Sequence, residues 1–282
     1  MDNKVSNFFK ALLPTILILG LQTFLSVAMG FLMICMKAYN YKSGGYGDFM
    51  KDCMESMMSA DFNLAVLLSY VVIGLVLLGV WYKKEFGPEE KGKWKLSALT
   101  DKPLPFGVGI VVIAFGAQYL CMYVMNLLAM AFPQWLTNYQ KIMEAIGLGE
   151  EVTLPLVLYV VILGPICEEI AYRGLTMGFA KKFTSFWVAN VIQAVLFAGL
   201  HMNPLQSVYT FFLGLLFGYF VHKSGSLFMG ILLHMVFNAA GALGDSLIVP
   251  GSNQMQAFII LFGAMVATYV GFVLLKGSIR DH

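Results

Sequence analysis

Charge is scarce in this chain. Of its 282 residues only 12% are Asp, Glu, Lys or Arg, against about 25% in ordinary soluble domains. The net charge of +2 gives no strong field of either sign, so nothing points to nucleic acid. Cysteine is sparse as well. Cys35, Cys53, Cys121 and Cys167 have no metal-ligand spacing, and three of them lie in apolar runs. Buried free thiols are therefore expected, rather than disulfides or a zinc site. Histidine occurs four times, and neither a soluble repeat nor a low-complexity tract is seen. What is left is apolar: 59% hydrophobic residues and a mean hydropathy of +0.76. The composition is that of a polytopic membrane protein, with no long soluble domain expected at either end.

About 20 apolar residues are needed to cross roughly 30 Å of hydrocarbon. Eight stretches qualify, at about 11–36, 62–82, 105–132, 153–177, 184–202, 205–221, 226–248 and 256–276. The first is 26 residues long, too long for the h-region of a signal peptide. The fifth and sixth are separated only by Asn203-Pro204, which predicts a tight helical hairpin. Lipid offers no partner to an unpaired backbone group, so the spans must be helical. The expected fold is all-α, a bundle of about eight transmembrane helices enclosing an intramembrane polar cavity. Residues 1–282 form one integral-membrane domain, with the core helices at 153–248. With the N-terminus inside, thirteen Lys and Arg fall on the inner side and only Lys37, Lys42, Lys51 and Lys141 on the outer. This favours a multi-pass protein of the cell membrane with both termini in the cytoplasm. The inner segment Lys83 to Lys102 is expected to lie on the membrane surface.

Against this background, three ionisable side chains interrupt one apolar helix: Glu168, Glu169 and Arg173, in the run from Gly164 to Gly174. Each charge at mid-membrane costs about 2.5–3.5 kcal/mol, so such a cluster marks a functional site by default. Glu169 and Arg173 are four apart and face one another as an ion pair. That pair serves either to fix helix register or to act directly in the site. Glu168 points about 100° away and is left without that partner, which suits a general base. Two of the histidines, His201 and His234, also fall within apolar helices, while His222 sits beside Lys223 and His282 is the last residue. His234 and Asn238 are four apart, and an imidazole and an amide on one face can hold a developing oxyanion. Asn238 alone would also serve as an interhelical hydrogen bond. Asp245 lies on a similar face near the outer end of that helix, where solvation is expected rather than catalysis.

Glu168-Glu169-x-x-x-Arg173, Phe197-x-x-x-His201 and His234-x-x-x-Asn238, in this order on three separate helices, resemble the motifs of the CPBP family. That family comprises the type II CAAX prenyl endopeptidases and the bacteriocin-processing intramembrane proteases. The resemblance runs from about Pro155 to Gly241 and implies hydrolysis of a peptide bond within the membrane. Glu168 would activate water with help from His201, His234 and Asn238 would stabilise the oxyanion, and Glu169 and Arg173 would support the site. Members have been described both as metalloproteases and as glutamate-dependent hydrolases that need no metal. A zinc ion could be held by Glu168, His201 and His234 with one position open, but His234 cannot easily be both ligand and oxyanion donor, so the reading without a cofactor is preferred. The partners implied are a peptide or protein substrate entering from the membrane, and the lipid bilayer itself. A transporter or proton relay using the same buried groups is the alternative, although no inverted repeat is seen. A non-catalytic immunity or sensor-modulating scaffold is another. One tension is built into the spans: Glu168 falls in the inner half of its helix and His201 at the outer end of its own. They meet only if helices tilt or a boundary moves by a turn.

Overall fold

The computed structural model describes residues 3–41, 44–88, 92–148, 153–244 and 254–280. Lys42, Lys91, Asp245 and His282 lie outside these. The described residues form α1 (Asn3–Asn40), α2 (Tyr46–Met57), α3 (Ala60–Phe86), α4 (Leu96–Leu99), α5 (Pro103–Ala131), α6 (Pro133–Ala145) and α7 (Leu154–Ala180). These are followed by α8 (Phe186–Leu200), α9 (Pro204–Ser224), α10 (Leu227–Gly244) and α11 (Gln254–Ser278). Among the described residues the only non-helical pairing is one antiparallel bridge, Thr100 to Ile279.

The expected helical membrane bundle is present, but not all its helices are full spans. Six helices, α1, α3, α5, α7, α9 and α11, are long and apolar enough to cross a membrane. Two shorter apolar helices, α8 and α10, join them, in line with the expected bundle of about eight. Helix α8 has 15 residues and rises about 22 Å, less than the roughly 30 Å of hydrocarbon. It breaks at His201, where Met202 takes the left-handed conformation at φ 47°. Asn203 then caps α9, its Oδ1 accepting from the Gln206 N–H at 3.1 Å, with Pro204 in the first turn.

Close packing is set by small and amide side chains, as expected where lipid removes the hydrophobic drive between helices. In the α8–α9 hairpin, Gln193 Nε2 donates to the Gly214 carbonyl at 2.8 Å and Asn190 Nδ2 to that of Leu215 at 3.0 Å. Gly218 leaves room for the Asn190 amide, since a Cβ there would stand 1.9 Å from Oδ1. Helices α5 and α11 meet backbone to backbone: a Cβ on Gly116 would lie 2.6 Å from the Thr268 nitrogen, and one on Gly271 2.4 Å from that of Ile113.

Two apolar cores result. One is built mainly on α1, α3, α7 and α8, around Val71, Tyr172 and Phe179. The other is built on α5, α9, α10 and α11, around Ile113, Phe217 and Leu233. Helix α10 is the seam, packing on α5 and α9 on one side and on α7 on the other. The segment before α5 packs back onto helix ends: the Ser226 hydroxyl donates to the Lys93 carbonyl at 2.9 Å, Trp94 packs on Phe228, and Leu99 is buried. All four cysteines are free, with Cys53, Cys121 and Cys167 buried.

Candidate active site

Helix α7 is irregular where its charges lie. The α-helical stretch Gly164–Glu169 is flanked by π-helical Leu158–Leu163 and Ile170–Thr176. Proline at 165 explains part of this, because it has no N–H to give to the preceding turn. The Gly164 N–H reaches Tyr159, so the Val160 carbonyl receives neither Gly164 nor Pro165. Asn238 fills the gap from α10, its Nδ2 donating to the Val160 oxygen at 2.8 Å. One amide N–H of Asn238 is thus an interhelical bond, and the other remains for chemistry. π-bulges of this kind are frequent at functional sites.

The two carboxylates divide sharply. Glu169 is fully buried, and its Oε1 accepts from Arg173 Nη1 at 2.8 Å and from His234 Nδ1 at 2.9 Å. The expected Glu169–Arg173 pair is therefore present, with a second duty that sequence spacing did not reveal. Because a carboxylate only accepts, His234 carries its proton on Nδ1, and Nε2 is the nitrogen left to act. That Nε2 faces Glu168 Oε2 at 3.7 Å, too long for a direct hydrogen bond. The Glu168 side chain is 16% exposed, against 0% for Glu169. Gly230, one turn before His234, makes room for Glu169: a Cβ there would stand 2.5 Å from Oε2.

Phe197 is the hub of the cluster. The Arg173 guanidinium lies 4.3 Å from its ring centroid and 5.3 Å from that of Phe217, so aromatic faces cover the cation where hydrogen bonds do not. Arg173 Nε and Nη2 and Glu169 Oε2 have no hydrogen-bond partner among the described residues. His201 and His234 both stand edge-on to the Phe197 ring, at centroid distances of 5.2 and 5.8 Å. His201 Nδ1 donates to the Phe197 carbonyl at 3.0 Å, again leaving Nε2 free to act.

The depth tension between Glu168 and His201 is thereby resolved. Glu168 is 12 residues above the end of α7 at Ala180, or about 18 Å, while short α8 carries His201 only about 22 Å above Phe186. Beside the cluster, the Tyr70 and Tyr159 hydroxyls are 2.9 Å apart. These tyrosines were not singled out in the sequence; a polar tip in mid-span is the signal that marks them. No residue of Leu158–Leu163 is fully buried, and this stretch packs against α3 and α10.

The zinc alternative fares differently. Among the described residues no group of three or more His, Cys, Asp or Glu is arranged to hold a metal ion. His201 and His234 share the Phe197 ring and Glu168 stands 3.7 Å from His234, but the three are not a closed ligand set, and a metalloprotease is not supported.

A multi-pass helical membrane protein with an acid–imidazole cluster buried at the seam of two cores is thus defined. The family described as Type II CAAX prenyl endopeptidase Rce1-like matches residues 150–240, the segment that carries all three motifs. Over that segment the resemblance to the CPBP family holds, and the family is one of proteases. No curated protein and no solved structure matches the chain.

Proposed function

We propose that this protein is an intramembrane endopeptidase, hydrolysing a peptide bond of a membrane-associated peptide or protein. The observation that carries the reading is the division of labour between adjacent carboxylates. Glu169 is buried and committed to Arg173 and His234, while Glu168 is partly open with His234 Nε2 3.7 Å away. A water about 2.8 Å from each of these two atoms would bridge them at an angle near 80°.

Glu168 takes a proton from this water as its oxygen attacks the scissile carbonyl carbon. The oxyanion that forms is met by the remaining N–H of Asn238 and by the Nε2–H of His234, the proton on Nε2 being taken from solvent before the attack and kept through the cycle. The C–N bond then breaks, and the proton held by Glu168 passes to the leaving amine. His201 flanks the water from the end of α8. Glu169 and Arg173 act through His234, fixing its tautomer and orientation, as buried carboxylates do for working imidazoles. No cofactor is invoked. Substrate enters from the bilayer over Leu158–Leu163, and both termini face the cytoplasm of a cell-membrane protein.

The test is cleavage of a quenched fluorescent peptide library by the full-length protein in detergent, wild type against Glu168→Ala, each with and without a strong chelator. Cleavage that is lost in the variant and indifferent to chelator is expected. Retained cleavage in Glu168→Ala would sink the mechanism, and loss on chelation with rescue by zinc would reinstate the metal. Proton flux in proteoliposomes with no proteolysis would favour the transporter reading.

A further inference from the structure

The C-terminal end of α1, with α2 and α3, borders a cavity of about 520 Å³ that shares no residue with the acid–imidazole cluster. Its size falls in the range of ligand sites, and α1 sets its depth. Lys10 and Lys37 are 27 residues apart on this one helix, about 40 Å, which matches a bilayer with its headgroup regions included. Lys37 thus stands at headgroup level. Met29, Met33 and Met36 line the cavity from there into the hydrocarbon, Met29 about 12 Å deeper than Lys37. Their i, i+4, i+7 spacing makes one thioether face, and Phe62 of α3 adds to the apolar wall. Unbranched thioethers adapt to a flexible chain. At the polar end the Lys37 ammonium donates to Asp52 Oδ2 of α2 at 2.6 Å. An ammonium has three donors and a carboxylate two oxygens, so two N–H groups of Lys37 and Oδ1 of Asp52 remain for a ligand. Asp48, one turn earlier on α2, adds a second negative charge.

We propose that this cavity is a selective site for one zwitterionic phospholipid with a primary ammonium, a phosphatidylethanolamine. The lipid phosphate accepts from the remaining N–H groups of Lys37, the ethanolamine ammonium donates to Asp52, and an acyl chain lies along the methionine face. The headgroup dipole then runs antiparallel to that of the Lys37–Asp52 pair, so each charge meets its opposite. A choline headgroup has no N–H to give to Asp52. An anionic headgroup brings no cation to offset Asp48 and Asp52. The cavity therefore selects by headgroup as well as by apolar area. The groove on α5 between Pro103 and Val112, about 350 Å³, is lined by apolar residues throughout and offers no such selection.

The test gives the full-length protein in detergent equal amounts of phosphatidylethanolamine, phosphatidylcholine and phosphatidylglycerol with matched acyl chains, and reads bound lipid by native mass spectrometry. No arm depends on cleavage. Wild type is expected to hold one phosphatidylethanolamine about tenfold more tightly than either other lipid, the scale of one charge-assisted hydrogen bond. Asp52→Asn, a change at an exposed side chain, is expected to abolish that preference. Met33→Trp fills the cavity and is expected to lose the bound lipid, with melting temperature as the control for folding. Should the tryptophan variant fail to fold, the asparagine variant still decides. Equal retention of the three lipids by wild type, an unchanged preference in Asp52→Asn, or a folded Met33→Trp that keeps the lipid would overturn the site. A wild type of twice the chain mass carrying no lipid would overturn it too, giving the cavity to a second copy of this protein instead.

Discussion

Alanine at Glu169 and alanine at Glu168 should have opposite effects on stability, although the residues are adjacent and both variants lose activity. Removing the Glu169 carboxylate strands the Arg173 guanidinium, which is 2% exposed and has no other carboxylate within salt-bridge distance among the described residues. Breaking a buried pair from one side costs about 3–5 kcal/mol, a large share of the roughly 5–15 kcal/mol that holds a typical protein together. It also takes the acceptor from His234 Nδ1, so activity falls with stability. Glu168 has no such dependants. Its nearest charged neighbour is the His234 ring at 3.7 Å, and deleting a partly buried carboxylate relieves its desolvation. Glu168→Ala is therefore expected to melt at or above the wild-type temperature while losing cleavage. The assay is thermal release of the buried thiols Cys53, Cys121 and Cys167 to a maleimide dye, with exposed Cys35 replaced by serine. The double variant Glu169→Leu/Arg173→Met should recover most of the stability and none of the activity, because an apolar replacement of a buried pair is often neutral. Equal melting of the two single variants would refute the division of roles.

Other substitutions test the scaffold. Asn238→Ala leaves the Val160 carbonyl unpaired, and the same dye assay should show a loss of about 1–3 kcal/mol along with reduced cleavage. Gly271→Ala drives a Cβ to 2.4 Å from the Ile113 nitrogen and should destabilise the α5–α11 contact by about 1–3 kcal/mol. Met202 holds a left-handed backbone at φ 47°, a conformation that costs an L-residue about 1–2 kcal/mol. Met202→Gly should thus melt no lower than wild type, whereas Met202→Val should melt lower. At the surface, the Arg280 guanidinium holds the Asp101 carboxyl below its usual range by hydrogen bonding. The stabilisation is present above the unfolded carboxylate pKa of about 3.9 and is lost as pH falls through the lower folded value. Asp101→Asn should therefore differ slightly from wild type at neutral pH and low salt, and converge with it in acid or high salt.

Much of the site was legible in the sequence because helical periodicity is local. The i, i+4 spacing of Glu169 and Arg173 gave their ion pair, and apolar flanks around Glu168, His201 and His234 marked them as more than packing. What was not legible depends on contacts between helices. The bond from His234 to Glu169 joins residues 65 apart in sequence, and no spacing rule places it. Asn238 was read by its helical face, but its partner is a carbonyl released by Pro165, a backbone event that periodicity does not register. The hairpin at Asn203-Pro204 was legible, but α8 was read as 184–202 where the helix runs Phe186–Leu200, because the apolar residues around His201 hide the left-handed backbone at Met202. Helices α2 and α6 were missed for a different reason: at 12 and 13 residues they are too short and polar to stand out as spans.

The most direct measurement is the turnover of Glu168→Gln, which preserves shape and removes only the ability to take a proton. Measured on a peptide that wild type cleaves, with melting temperature as the control for folding, turnover should fall by about 10²–10⁴, the usual contribution of general-base catalysis. A variant that melts like wild type and retains turnover within tenfold would contradict the assignment of Glu168 as the group that activates water.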